Sequence, residues 1–169
     1  MRPSRFFYFL VLIFVFNNAF SSSGIRYNPD QLTVLEKTHT CENCDLTGAT
    51  ISGNYSNIDV KNSDLTGSHL ENSTFSYGNF SGSKLNSVQM CASIFSGSNL
   101  ENAQLIQSNL IGSDFSNANL SGAVFTSACL NHANFYGSNI STEQLSMAAS
   151  YCYAILPNGV ESDSPCNGC

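Results

Sequence analysis

A large apolar side chain recurs at every fifth residue from Leu65 to Ile140 without a miss. The column runs Leu65, Leu70, Phe75, Phe80, Leu85, Met90, Phe95, Leu100, Leu105, Leu110, Phe115, Leu120, Phe125, Leu130, Phe135, Ile140. Two residues before each of these stands Ser, Ala or Gly, from Ser63 to Ser138, with Val88 as the exception. A period of five is neither the 3.6 of a helix nor the 2 of a strand. It requires a solenoid in which each five-residue unit turns one corner, with the large and the small column both facing inward.

The units read (A/S)(N/D)LxG: Ser-Asp-Leu-Thr-Gly at 63–67, Ser-Asn-Leu-Ile-Gly at 108–112 and Ala-Asn-Leu-Ser-Gly at 118–122. Over residues 44–141 this resembles the pentapeptide-repeat family. The resemblance implies an all-β fold, a right-handed quadrilateral parallel β-helix with four units per coil and short helical caps. It also implies that the remaining three residues of each unit point outward.

The chain carries its own support for four units per coil. Every fourth central residue from Phe75 is again Phe: Phe95, Phe115 and Phe135 follow. A period of twenty stacks these rings at about the 4.8 Å strand spacing, which suits offset aromatic packing. The small column follows from the narrow tube, which has no room for a second large side chain. About five coils over residues 44–141 give a rod of about 24 Å.

Upstream of Leu65 the register slips. Val60 and Tyr55 keep the frame, but Leu46 and Ile51 follow period five shifted by one, with Cys44 and Ala49 in the small slots. One residue is missing near 52–57, where a bulge or loop is expected.

The ends carry different signals. A short basic start with Arg2 and Arg5 precedes the apolar run Phe6 to Phe16, and Ala19-Phe20-Ser21 offers small residues at a cleavage site. This predicts a secretory signal peptide over 1–21, since eleven apolar residues are short of the about twenty needed to span a bilayer. Asn28-Pro29 can start a short helix with Leu32 and Leu35 on one face, within an N-terminal cap segment 22–43. Ser141-Thr142-Glu143-Gln144 is a capping box, predicting a helix through Leu145 and Ala149 in a C-terminal segment 142–169. The tail beyond Leu156-Pro157-Asn158-Gly159 reads as a turn and a loose end. Both ends resemble those of secreted members of the family.

Seven cysteines in an exported chain point to an oxidising compartment, and the odd count leaves one free or paired between chains. Cys41/Cys44 and Cys166/Cys169 each have C-x-x-C spacing, which suits local disulfides; a zinc ribbon would need both pairs, from opposite ends of the rod, to meet. A buried free thiol at Cys44 is the third reading. Cys91 and Cys129 flank centres two coils apart, about 9.6 Å by strand spacing, and should not bond each other.

Charge and chemistry narrow the function. Removing the leader takes the bases from six to four against twelve acids, a net charge of −8. That disfavours nucleic acid and anionic membranes as partners. Outward positions are mostly Asn, Ser and Gly. Asn79, Asn99, Asn119 and Asn139 form one column, readable as a structural amide ladder or as a binding strip. Five Asn-x-Ser/Thr sequons, at Asn54, Asn72, Asn79, Asn119 and Asn139, arise from the repeat itself. His69, Cys129 and His132 share a face, but 69 and 129 lie three coils apart. No catalytic constellation, cofactor motif or metal site emerges, so an enzyme is not expected.

The expected function is an exported, non-catalytic scaffold, periplasmic or extracellular (thylakoid-lumenal in a photosynthetic host). Its partner would be a protein, an envelope component or a copy of itself. One alternative is a DNA-mimic, topoisomerase-interacting rod, as the resemblance allows. The other is a secreted ice-binding solenoid, which would want a regular Thr face that this chain lacks.

Overall fold

A computed structural model describes residues 27–167 and 169; the expected leader, 1–21, lies outside the described residues. The body is a parallel solenoid. Single-residue bridges link each coil to the next at an offset of twenty, as in Asn79↔Asn99, Lys84↔Gln104, Gln89↔Asn109 and Ile94↔Asp114. Four bridged columns therefore complete one turn of chain.

The backbone of one unit shows why the repeat has this form. In residues 64–68 all five N–H groups have a partner. Asp64 donates to the Cys44 carbonyl of the coil before (2.8 Å). Leu65 and Gly67 donate to the Lys84 and Asn86 carbonyls of the coil after (2.8 and 2.9 Å). Ser68 closes the corner on the Leu65 carbonyl (3.0 Å). The fifth, on Thr66, donates to the Asp64 carboxylate oxygen (3.0 Å). Where Asn or Asp precedes the centre, as at Asp64, Asn99, Asn109 and Asp114, its side chain supplies the acceptor that the corner otherwise lacks, helping to pair a shielded main-chain donor. The corner residue two after the centre is left-handed throughout, as at Gly67 (φ 66°), Asn102 (57°) and Gln107 (57°). That geometry matches the third position of a type II turn.

The interior follows the two columns. Phe75, Phe95, Phe115 and Phe135 stack with centroids 5.0, 5.2 and 5.6 Å apart. Phe80 stands edge-on to Phe75 and Phe95. All are buried. Some serines of the small column donate to carbonyls of the preceding coil, Ser83 to Val60 (2.7 Å) and Ser113 to Met90 (2.6 Å), while Ser98 and Ser108 donate to the Phe95 and Leu105 carbonyls of their own corners. The Ser68 and Ser138 hydroxyls are buried without a partner.

The register slip is a shortened corner, not the bulge or loop expected. Thr40↔Asp59, Asp45↔Asp64 and Thr50↔His69 pair at an offset of nineteen, and Asn54↔Thr74 begins the offset of twenty. A bulge adds a residue to a strand. Here Gly53, at φ 124°, makes the corner between Ile51 and Tyr55 with one residue fewer. Tyr55 still stacks on Phe75, with centroids 6.0 Å apart.

Helix α1, Pro29–Thr38, starts at Asn28, whose side chain accepts from the Asp30 and Gln31 amides, and buries Leu35 in the core. Helix α2, Thr142–Ser146, has the reciprocal Ser141/Gln144 bonds and stops at Ser146, short of Ala149. The Gln144 amide also donates to the Leu120 and Ala123 carbonyls (2.7 and 2.8 Å), which fixes the helix on the coil. Leu145 is buried although it lies in the helix.

Beyond α2 the structure departs from the expected loose tail. Ser150 pairs over Cys129 and Ile155 over Asn134, so the coil resumes with one residue inserted. The chain then turns at 157–159 and returns antiparallel, Ile155 facing Glu161. Among the described residues no helix is long and apolar enough to cross a membrane.

Candidate functional site

The asparagine column stands on the outside of the coil, continued by Asp59 below Asn79. The Asn79 amide donates to the Asp59 carboxylate (3.0 Å), Asn119 to Asn99 (3.0 Å) and Asn139 to Asn119 (2.8 Å). Their side-chain oxygens also accept main-chain N–H groups: Ser81 on Asn79 (3.2 Å), Glu101 on Asn99 (3.1 Å) and Ser121 on Asn119 (3.2 Å). Asn139 instead accepts from Leu120 (2.5 Å), because the Ser141 amide is taken by Gln144. The oxygens, one amide hydrogen each of Asn79 and Asn119, and both of Asn139, which also donates to the Ser121 hydroxyl (2.8 Å), are therefore committed to the fold. What this column offers a ligand is mainly the remaining N–H groups.

The cysteines divide differently from their spacing. Cys41 and Cys44 form a local disulfide, Cα atoms 5.7 Å apart, both side chains buried. Cys166 and Cys169 do not bond each other: the returning tail carries Cys166 to Cys152 and Cys169 to Cys129, with Cα separations of 5.1 and 5.7 Å. An antiparallel return of the chain decides this pairing, and C-x-x-C spacing cannot reveal it. The same return leaves no tail cysteine for a zinc ribbon. Cys91 stays free. Burial pushes its thiol pKa up, a backbone hydrogen bond offsets part of the rise, and the Glu71 carboxylate adds to it. A protonated thiol is a poor nucleophile.

The histidines are not brought together. His69 contacts the Glu71 carboxylate at 3.1 Å, His132 stacks on Tyr153 (centroids 5.2 Å) and His39 packs on Tyr55. Among the described residues no group of three or more His, Cys, Asp or Glu is placed to hold a metal ion. Two cations are spent on acids, Lys61 on Glu42 (3.2 Å) and Lys84 on Asp64 (3.5 Å). Burial acts to raise the Asp64 pKa, but bonds from the Thr66 hydroxyl and amide and the Lys84 ammonium hold it below the usual value.

Sequence reasoning passed over the exposed tyrosines. Tyr77 is 71% exposed, Tyr136 56% and Tyr153 52%. None stands free of the coil. The Tyr77 ring lies over Gly97, Tyr136 over Gly159, and Tyr153 against His132. Tyr77 and Tyr136 belong to corners of one column, three coils apart. The available signal was aromatic residues at outward slots of a repeat otherwise filled by Ser, Asn and Gly. A shallow depression of about 260 Å³ at the C-terminal end is lined by Ile140, Leu145, Leu156 and their neighbours.

A family profile described as Pentapeptide repeats, in eight copies, matches residues 56–90, 83–122 and 103–141. No curated protein matches the chain. Among solved structures it is similar to the pentapeptide repeat protein Rfr23 from the cyanobacterium Cyanothece 51142, at 23% identity over 67% of this chain and 95% of that one, TM-score 0.39. It is also similar to QnrB1, a plasmid-mediated fluoroquinolone resistance protein, at 16% identity over 70% of this chain and 82% of that one, TM-score 0.43. A pentapeptide repeat protein from the Arabidopsis thaliana thylakoid lumen matches at 23% identity over 61% of this chain and 71% of that one, TM-score 0.27.

Proposed function

The chain belongs to the pentapeptide-repeat family, and from that premise we propose that it is an exported, non-catalytic scaffold that binds a protein or cell-envelope partner. In this reading residues 1–21 are a cleaved leader, the coil over 44–141 is right-handed and four-sided, and the segments 22–43 and 142–169 cover its ends. Three disulfides support an oxidising compartment, periplasmic or extracellular.

The observation that carries the binding role is the set of pinned, exposed tyrosines on a largely uncharged surface. Tyrosine is enriched at protein interfaces, and a ring already held against the fold loses little entropy on binding. Tyr77 and Tyr136 are the proposed anchors, with the Asn79, Asn99, Asn119 and Asn139 column beside them. The DNA-mimic alternative is disfavoured by charge. A duplex presents one charge per about 1.7 Å, whereas residues 44–141 hold six acids and two bases.

Crosslinking the mature protein in its native compartment tests this, with Tyr77→Ala and Tyr136→Ala compared against the parent. A partner captured by the parent and lost with both variants, at unchanged circular dichroism, supports the anchors. Equal capture by all three removes them. N-terminal sequencing of the same material tests cleavage after Ser21.

A further inference from the structure

The last coil would leave a row of unpaired N–H and C=O groups, as any sheet edge does. Residues 160–165 cover part of that row. The Tyr153 amide donates to the Ser162 carbonyl (3.3 Å), Ser162 to Ala154 (2.7 Å) and Leu156 to Val160 (2.8 Å). The Ser150 hydroxyl, which donates to the Asn131 side-chain oxygen (2.6 Å), lies 3.3 Å from the Pro165 carbonyl. Little burial reinforces these bonds: Ser162 is buried, but Val160, Glu161, Asp163, Pro165 and Cys166 are exposed. Two disulfides, Cys152–Cys166 and Cys129–Cys169, retain the tail, and each joins a coil cysteine to a tail cysteine. The hinge is the turn at 157–159, closed by the Gly159 amide on the Leu156 carbonyl (2.9 Å) with Gly159 left-handed.

We propose that the C-terminal tail is a redox latch that exchanges between copies of this chain. A dithiol reductant converts each disulfide to two thiols and is itself oxidised to a cyclic disulfide, transferring two electrons and two protons per bond. The tail then swings out about 157–159 and leaves the edge at 150–156 bare. The occupant that fits this edge is the tail of a second copy, because it brings the same backbone pairing and both matching cysteines. Such exchange of an identical element is a low-cost route to a dimer. Reoxidation by a disulfide donor, itself reduced to two thiols per bond formed, locks the pairs between chains. The coil below needs neither bond, since its Phe stack and backbone ladder end before the tail begins. The latch meets the proposed tyrosine surface at Tyr136, which lies over the hinge residue Gly159, whereas Tyr77 lies three coils away, so lost partner capture by Tyr77→Ala and failed tail exchange are separate outcomes.

The test uses the full mature chain, half of it isotopically labelled. The protein is reduced with excess dithiol, reoxidised in oxidised glutathione at low and high concentration, and analysed by light scattering and non-reducing peptide mapping. The expected result is a doubled mass whose fraction rises with concentration, with labelled-to-unlabelled Cys152–Cys166 peptides. Intrachain pairs alone at every concentration would overturn the exchange. The Cys166→Ser/Cys169→Ser variant isolates the latch from Cys41–Cys44. Its Tyr153 and Ser162 amides should lose protection from hydrogen exchange while Leu110 keeps its own. Unchanged protection at 153 and 162, or loss throughout the coil, would equally overturn the proposal.

Discussion

Gly78 lies directly against the Phe80 ring: a β-carbon at position 78 would fall 2.8 Å from Phe80 Cε2. It would also fall 2.9 Å from the Ile58 methyl and from the Phe75 carbonyl oxygen. The small column therefore has sites of different tolerance. Gly78→Ala should destabilise by about 1–3 kcal/mol, since a main-chain oxygen cannot step aside. Ser68→Ala should be neutral or stabilising by about 1 kcal/mol, because it removes a buried hydroxyl that has no partner. Denaturant unfolding of the two variants checks both signs.

Asn79→Ala tests the corner acceptor. It strands the Ser81 amide and removes the bond to Asp59. A loss of about 1–2 kcal/mol is expected, with faster hydrogen exchange at Ser81. A cost near zero would show that water satisfies the corner equally well.

Phe115→Ala removes the middle of the aromatic stack, between Phe95 and Phe135. It should cost about 3–5 kcal/mol. The outward neighbour Ser116→Ala should cost under about 0.5 kcal/mol. Similar costs for the pair would contradict the inward and outward assignment.

Cys91 should be the one thiol of the oxidised protein that takes an alkylating reagent. Its pKa is raised, so the thiolate forms only above the pH at which an ordinary cysteine ionises. The alkylation rate should therefore climb to a plateau at higher pH than in a short cysteine peptide. Glu71→Gln should move that profile back toward lower pH.

The repeat was open to reading because each unit states its own inside and outside. Leu65 and Ser63 carry that information within three residues, and Phe75 with Phe95 adds the coil length. The missing residue at Gly53 was visible as a frame shift, and its sign already spoke for a shortened corner, since a bulge would have added a residue rather than removed one. The Asn column was legible as a ladder; that its oxygens serve the main chain two residues on was not drawn from the Asn-Leu-x spacing, although it could have been. The tail defeated sequence reasoning for a different cause. The antiparallel facing of Ile155 and Glu161 has no period, and Cys129 meets Cys169 only through the whole preceding architecture.

The offset of twenty makes length a stepped quantity. Excising residues 80–99 would join Asn79 to Leu100, set Phe115 on Phe75 and Asn119 on Asn79, and return a rod one coil shorter with every column continuous. Excising fifteen would rotate everything downstream by one column, breaking both the aromatic stack and the amide ladder. Such a chain can grow or shrink only by whole turns, and a shorter rod made that way would keep its two ends at the same relative azimuth.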